Sequence, residues 1–249
     1  MNSDRSNAVS LIVPCAGKGS RLGLSHLPKA LAPIGEGTIL SHILDKIGGM
    51  FDDIVLVVSN SHVKQFETFI EGFENNRIRL AVQDSPVGSL NAVNVGMKNV
   101  QGNCIVVWGD QIGVSESTIR KMIDLHLDNP SVDFAVPVIY TAEPYVWLEL
   151  DAQHQTLVGV GRRRDGDHID IGWADLGAFF FSNKIFHNLA ELETLVRDSN
   201  EGKEVDLIYA LPILAESFLG KFLERFDSNE LLAINTAEEL EKAARFLNA

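Results

Sequence analysis

The stretch PCAGKGSRLGLSHLPKAL, residues 14–31, places Gly17, Gly19 and Gly23 directly behind an apolar run, with Arg21 among them and Lys29 following Pro28. Glycines after a strand allow positive φ and let backbone N–H groups approach an anion without a Cβ in the way. Phosphate is the ligand such a loop suits. Arg21 and Lys29 flank those exposed amides and would neutralise a polyphosphate, with Lys29 held on the stiffened backbone after a proline. The bland reading is a tight connection carrying two solvated cations. Spacing excludes the two commonest phosphate loops. GKGSRLG is one residue longer than the dinucleotide pattern G-x-G-x-x-G, and no G-x-x-x-x-G-K-S/T is present. Pro28 and Pro33 also prevent a helix from starting at once.

Three further positions carry chemistry by type and place. Gln83 ends an apolar run and offers an amide that donates and accepts; the segment after it, with Gly88 and Ser89, reads equally as a helix N-cap. Asp110 stands just past CIVVW, at the carboxyl end of a fourth strand, where open α/β sheets bind ligands and a carboxylate suits Mg²⁺. Asn235 precedes Thr236 at the start of a C-terminal helix, where capping is its ordinary role. The seven histidines are scattered without HxH or HExxH spacing, and Cys15 and Cys104 form no CxxC pair. Both cysteines read as reduced core thiols.

The elements that must position these residues come from periodicity. Residues 8–130 alternate short β-branched runs (AVSLIVP, IVLVV, RLAVQ, CIVVW) with amphipathic stretches (TILSHILDKIGGM, SHVKQFETFIEGF, SLNAVNVGMKNV, STIRKMIDLHL). That is the pattern of βαβ units in a mostly parallel sheet. From about Val132, DFAVPVIY, YVWLELD, TLVGVG and LGAFFFS crowd together around turn-rich RRRDGDHID, predicting a small, more antiparallel β-rich lobe inserted in the second half. TAEELEKAARFLN, with Thr236 and Glu239 at capping-box spacing, predicts a final helix. The expectation is therefore an α/β, Rossmann-like mixed sheet flanked by helices in one domain, 1–249, with halves 8–130 and 131–249 and no internal repeat. Twenty-one Lys+Arg against 34 Asp+Glu give a net charge of −13, which opposes nucleic-acid binding. No signal-peptide pattern and no apolar run of the ~20 residues a membrane helix needs is present, so a cytoplasmic chain with no membrane partner is expected. Nothing in the pattern fixes an oligomeric state.

Taken together these blocks resemble the nucleotidyltransferases of GT-A-like α/β fold, whose signature runs A-G-x-G-T/S-R-[LM] and then P-K-x-L. QDSPVGSLNAV is similar to their Q-x-x-x-x-G-T-A-x-A-V segment, VVWGDQ to their metal-holding G-D pair, and AINTAEEL to their V-N-T/D-x-x-D/E-L segment. The resemblance implies that Ala16, Gly17, Lys18, Gly19 and Ser20, with Arg21, hold the β- and γ-phosphates of a nucleoside triphosphate. It also implies that Lys29 bridges the reacting phosphates and that Gln83, Gly88 and Ser89 meet the base. Mg²⁺ would sit on Asp110 and Asn235.

The activity implied is Mg²⁺-dependent transfer of a nucleotidyl group from CTP or UTP to a small phosphorylated acceptor, a sugar 1-phosphate ahead of phosphocholine or another non-sugar phosphate. The acceptor residues of the sugar-specific members are replaced: Gly159-Val160-Gly161-Arg162 stands for G-[IV]-V-E, and Asp175-Leu176-Gly177 for N-T-G. Arg162, Arg163 and Arg164 would receive an acceptor with an extra acid group, or form a solvated hairpin tip. Trp147, Trp173 and Tyr145 near Glu149 and Asp175 would cage a quaternary ammonium, or are core. A non-catalytic nucleotide-sensing domain is the alternative from another class, and a nicotinamide oxidoreductase stands further off.

Overall fold

The computed structural model describes residues 9–17, 22–23, 26–73, 77–85, 87–151, 153, 156–199 and 204–247. The first half runs β1 (Val9–Pro14), a hairpin of β2 (Pro33–Ile34) and β3 (Gly37–Thr38), α1 (Ile39–Ile47), β4 (Ile54–Ser59), α2 (Val63–Gly72), β5 (Ile78–Gln83), α3 (Ser89–Met97), β6 (Asn103–Val107) and α4 (Glu116–Asp128). The second half runs β7 (Phe134–Ala142), β8 (Val146–Leu150), β9 (Leu157–Arg162), β10 (Ile171–Asp175), β11 (Ala178–Phe181), α5 (Leu189–Ser199), α6 (Leu207–Ser217), β12 (Gly220–Glu224) and α7 (Ala237–Leu247).

Every residue of β4 and β6 is buried, the mark of parallel strands covered on both faces. Alternate side chains feed two cores. Leu11, Val13, Leu56, Ile105 and Val107 meet α1, α4 and α7 on one face; Ile12, Val55, Val57, Cys104 and Val106 meet α3, α5 and α6 on the other. Helix starts follow their caps. Thr38 and Ser41 exchange side chain–backbone hydrogen bonds at the head of α1 (3.1 and 2.8 Å), and Thr236 and Glu239 do so before α7 (3.2 and 2.9 Å).

One ten-stranded sheet carries both halves, in the order β5-β4-β1-β6-β11-β7-β10-β8-β9, with β12 parallel along β7. The pairs among β5, β4, β1 and β6 are parallel, and from β6 through β11 to β9 they are antiparallel. The second-half strands therefore form their more antiparallel part as a continuation of the same sheet. The cause is β11, buried along its whole length, which pairs with β6 on one side and β7 on the other.

Candidate active site

The parallel strands bring their carboxyl ends to one edge. Beyond that edge the Cys15 N–H donates to Val57 O (2.7 Å) and the Gly109 N–H to Pro14 O (3.2 Å), so the segments bearing Gly17 and Asp110 leave the sheet side by side. They border a cleft of about 820 Å³, in the range of small-molecule sites.

Lys29 enters this cleft from a 3-10 turn (Lys29–Leu31) that follows Pro28 at φ −64°. Its ammonium donates to an Asp110 carboxylate oxygen and, at 2.9 Å, to Asn235 Oδ1. The three residues come from segments up to 206 positions apart in the chain. Asn235 is free to face the cleft because capping falls to its neighbours: its own N–H and that of Thr236 both donate to Glu239 Oε2 (2.6 and 2.9 Å). One carboxylate oxygen and one amide oxygen thus converge on a single point, held by an ammonium. That donor set fits a hard divalent cation which takes its remaining ligands from phosphates and water. Among the described residues no cluster of three or more His, Cys, Asp or Glu offers an all-protein metal cage. Cys15 lies against the same point, and burial, with the Asp110 charge second, pushes its thiol far above its ordinary range. A thiol so held is a packing group, not a nucleophile. Cys104 is likewise free, buried and raised.

Of the loop expected to hold phosphates, Ala16 and Gly17 line the cleft, while Lys18, Gly19, Ser20 and Arg21 lie outside the described residues. Gln83, buried at the end of β5, donates to Gly88 O (3.3 Å) and Asn91 Oδ1 (2.9 Å). Both amide protons are thereby engaged, so the side chain has only its oxygen to offer. Gly88 sits at φ 139°, and a Cβ there would lie 2.2 Å from Val205 O, so only glycine permits this approach. Ser89 lines the cleft beside Gly88. Its N–H (3.1 Å) and its hydroxyl (2.8 Å) both donate to Asp206 Oδ1, and its oxygen accepts from the Leu207 N–H (3.0 Å). Ser89 and Asp206 thus cap each other's helices, Asp206 accepting at the head of α3 and Ser89 at the head of α6, at the wall of the cleft.

The residues expected at an acceptor separate. Asp175 and Arg162 line the far end of the cleft with Tyr145 and Val146. Trp147 and Glu149 do not. They alternate with Val146 and Leu148, so the pleat turns them to the opposite face, where they lie over Gly161 and Gly159 of β9. Arg162 is neither a solvated tip nor a free cation. It is 7 % exposed, stacked near the Tyr209 ring, and held by the carboxylates of Asp165 and Asp206. Burial alone would lower its pKa; hydrogen bonds to Asp165 and Asp206 and their charges win and raise it. Arg164 pairs with Glu204 (2.7 Å) and Arg163 with Glu143 (3.8 Å). Asp175 has no such cation among the described residues; burial pushes its carboxyl up to about 6, with the Gly177 N–H (2.8 Å) acting against the shift.

Sequence reasoning missed Asp206, Gln111 and Glu230. Asp206, placed before the apolar run of α6, carried a helix-start signal, but nothing marked its partners Arg162 and Ser89. Gln111 is 4 % exposed in the cleft wall, and Glu230 is 2 % exposed just before Leu231 and Leu232; a charged residue beside an apolar run was the available hint.

Comparison with known proteins places the fold in a family. Residues 11–193 match the family of MobA-like NTP transferase domains. Bifunctional protein GlmU from Methanococcus vannielii is 33% identical over 215 residues, 83% of this chain and 47% of that one, and GlmU from Methanococcus aeolicus 29% over 210, 80% and 45%. The chain spans about half the length of these curated relatives. Two solved structures share the fold. One is a CMP:2-keto-3-deoxy-manno-octonic acid synthetase complexed with CTP (TM-score 0.72, 14% identity, 97% of this chain and 98% of that one). The other is a Bacillus anthracis protein assigned as a glucose-1-phosphate thymidylyltransferase (TM-score 0.75, 18% identity, 96% and 95%). With 183 of its residues inside the matched region (193 − 11 + 1), the chain belongs to the MobA-like NTP transferase domain family.

Proposed function

We propose that the chain transfers a nucleotidyl group from a pyrimidine nucleoside triphosphate, CTP or UTP, to a small phosphorylated acceptor and releases pyrophosphate, with Mg²⁺ as cofactor. The observation that carries this reading is the convergence of Lys29, Asp110 and Asn235 at the carboxyl edge of the parallel strands. An acceptor phosphate oxygen is already anionic and needs no general base, so the chemistry reduces to placing like charges together. Bound to Asp110 and Asn235, Mg²⁺ would screen the phosphates and stabilise charge on the leaving group. Lys29, displaced from those two oxygens, has its ammonium within reach of the same phosphates. The single free acceptor of Gln83 suits a base edge that donates, such as the uracil imide N–H or the cytosine amino group.

A sugar 1-phosphate is the leading acceptor, in line with the sugar phosphate that names the Bacillus anthracis neighbour. A second reading, phosphocholine or another non-sugar phosphorylated acceptor, is favoured by one observation: Asp175 reaches the far end of the cleft with no cation beside it among the described residues, while all three arginines of the basic cluster face carboxylates. The same observation speaks against an acceptor with an extra acid group. The test is pyrophosphate release from CTP or UTP with glucose 1-phosphate, N-acetylglucosamine 1-phosphate and phosphocholine in turn. Release with one acceptor supports the reading and selects the acceptor class. A chain that binds a triphosphate yet releases pyrophosphate with none of them is a nucleotide-sensing domain instead.

A further inference from the structure

Asp110 and Asn235 must face each other across two loops, and the loop carrying Asn235 has its own anchor. Glu230, 2 % exposed, accepts hydrogen bonds from Thr118 Oγ1 (2.7 and 2.9 Å) and from the Ser115 hydroxyl, both at the head of α4. Arg225 closes the cluster: its Nε donates to Thr118 Oγ1 (2.7 Å) and lies 3.6 Å from Glu230 Oε2. From this buried knot the chain runs to Asn235 pinned against the Asp110 loop at three points. Gln111 Nε2 donates to Glu230 O (2.6 Å), the Gly113 N–H to Leu232 O (2.8 Å) and the Ile234 N–H to Asp110 O (3.0 Å). Gly113 permits the contact, since a Cβ there would stand 2.3 Å from Asn229 O.

We infer that Glu230 is a positioning residue for the metal pair: its carboxylate, fixed by Thr118 and Ser115, sets the register of residues 230–235 and so holds Asn235 opposite Asp110. The inference rests on the reading of Asp110 and Asn235 as metal ligands. A carboxylate buried against two hydroxyls and a guanidinium is a costly way to hold a surface loop unless the position of that loop matters. A loop misplaced by an ångström would leave the cation one protein ligand, while the triphosphate keeps its own contacts.

The test is Mn²⁺ affinity, read by electron paramagnetic resonance on the full chain with CTP or with UTP. Triphosphate affinity is read separately without metal. Glu230→Ala is expected to weaken Mn²⁺ binding about tenfold or more while triphosphate affinity stays within about twofold. Glu230→Gln, which keeps an oxygen for Thr118, should recover most of the loss. Thr118→Val removes the anchor without changing its shape and should reproduce the Mn²⁺ defect if Glu230→Ala fails to fold. Wild-type Mn²⁺ affinity in Thr118→Val and in any folded Glu230→Ala overturns the inference, as does an equal loss for metal and triphosphate, which marks general destabilisation. Asn235→Ala separates the two levels: if it binds Mn²⁺ as the wild type does, the metal-ligand reading itself fails.

Discussion

The two halves of the sheet treat their charged residues in opposite ways. In the parallel half, Lys29 on its 3-10 turn and Asp110 just past β6 turn their charges into the cleft, met there by Asn235 from the C-terminal segment. In the antiparallel half, Arg162, Asp165 and Asp206 turn their charges on one another, with Tyr209 donating to Asp165 and Ser89 to Asp206. Topology explains the contrast. Parallel strands deliver their carboxyl ends to one edge whatever residues they carry, so a polar residue placed there reaches a ligand. Antiparallel strands alternate direction, and a residue at a strand end meets whatever packs over it, which for β9 is α6. The first half presents charge; the second locks it away.

The largest expected effect breaks the locked network. Arg162→Met leaves Asp165 and Asp206 buried with only the more distant Arg164 (3.9 and 3.5 Å) and should cost about 3 kcal/mol or more of stability, on the order of 10 °C in melting temperature. Unchanged melting with a raised KM for the acceptor would place Arg162 with the first half, as a ligand-facing charge. Asp110→Asn should do the reverse, leaving the melting temperature nearly unchanged and lowering turnover at least ~100-fold in a pyrophosphate-release assay, the scale for losing a main electrostatic stabiliser.

Asp175 differs within its half: a half-buried carboxylate with no cation beside it among the described residues. Its folded pKa, about 6, lies above the ordinary 3.8, so the folded chain holds the proton where the unfolded chain has lost it. Its contribution to stability is full below about 4 and is lost as pH rises through about 6. Asp175→Asn should therefore melt like the wild type near pH 4 and be more stable by up to about 3 kcal/mol at pH 7.5. Melting curves at the two pH values check this, and a difference that does not vary with pH contradicts it. The smallest effect belongs to the residue turned out of the cleft. Glu149→Gln should leave kcat/KM within about twofold in the same assay, since Glu149 is exposed on the other face of the sheet.

The same contrast governs what the sequence reveals. Strands β4 and β6 read directly as apolar runs because both their faces are buried, and Asp110 stands out as a polar residue set against that background. The pairing of Arg162 with Asp206 spans 44 positions, and three adjacent arginines look like a solvated tip until α6 is laid over them. Trp147 was misread for a different reason. Its position in β8 is clear, but which face it takes depends on the register with β9, and a shift of one residue would exchange it with Val146. Glu230 has no motif at all: its importance comes from hydroxyls at the head of α4, more than a hundred positions away.

The central claim is that Asp110 and Asn235 hold the cation that makes a triphosphate bind productively. Thermal unfolding with CTP or UTP, with and without Mg²⁺, tests it most directly, because a ligand that binds only the folded chain raises the melting temperature. The expected result is an upward shift with one of the two triphosphates that Mg²⁺ enlarges in the wild type, with that Mg²⁺-dependent part lost in Asp110→Asn and Asn235→Ala. A shift of equal size without Mg²⁺, or a Mg²⁺-dependent part that survives in both variants, would contradict it.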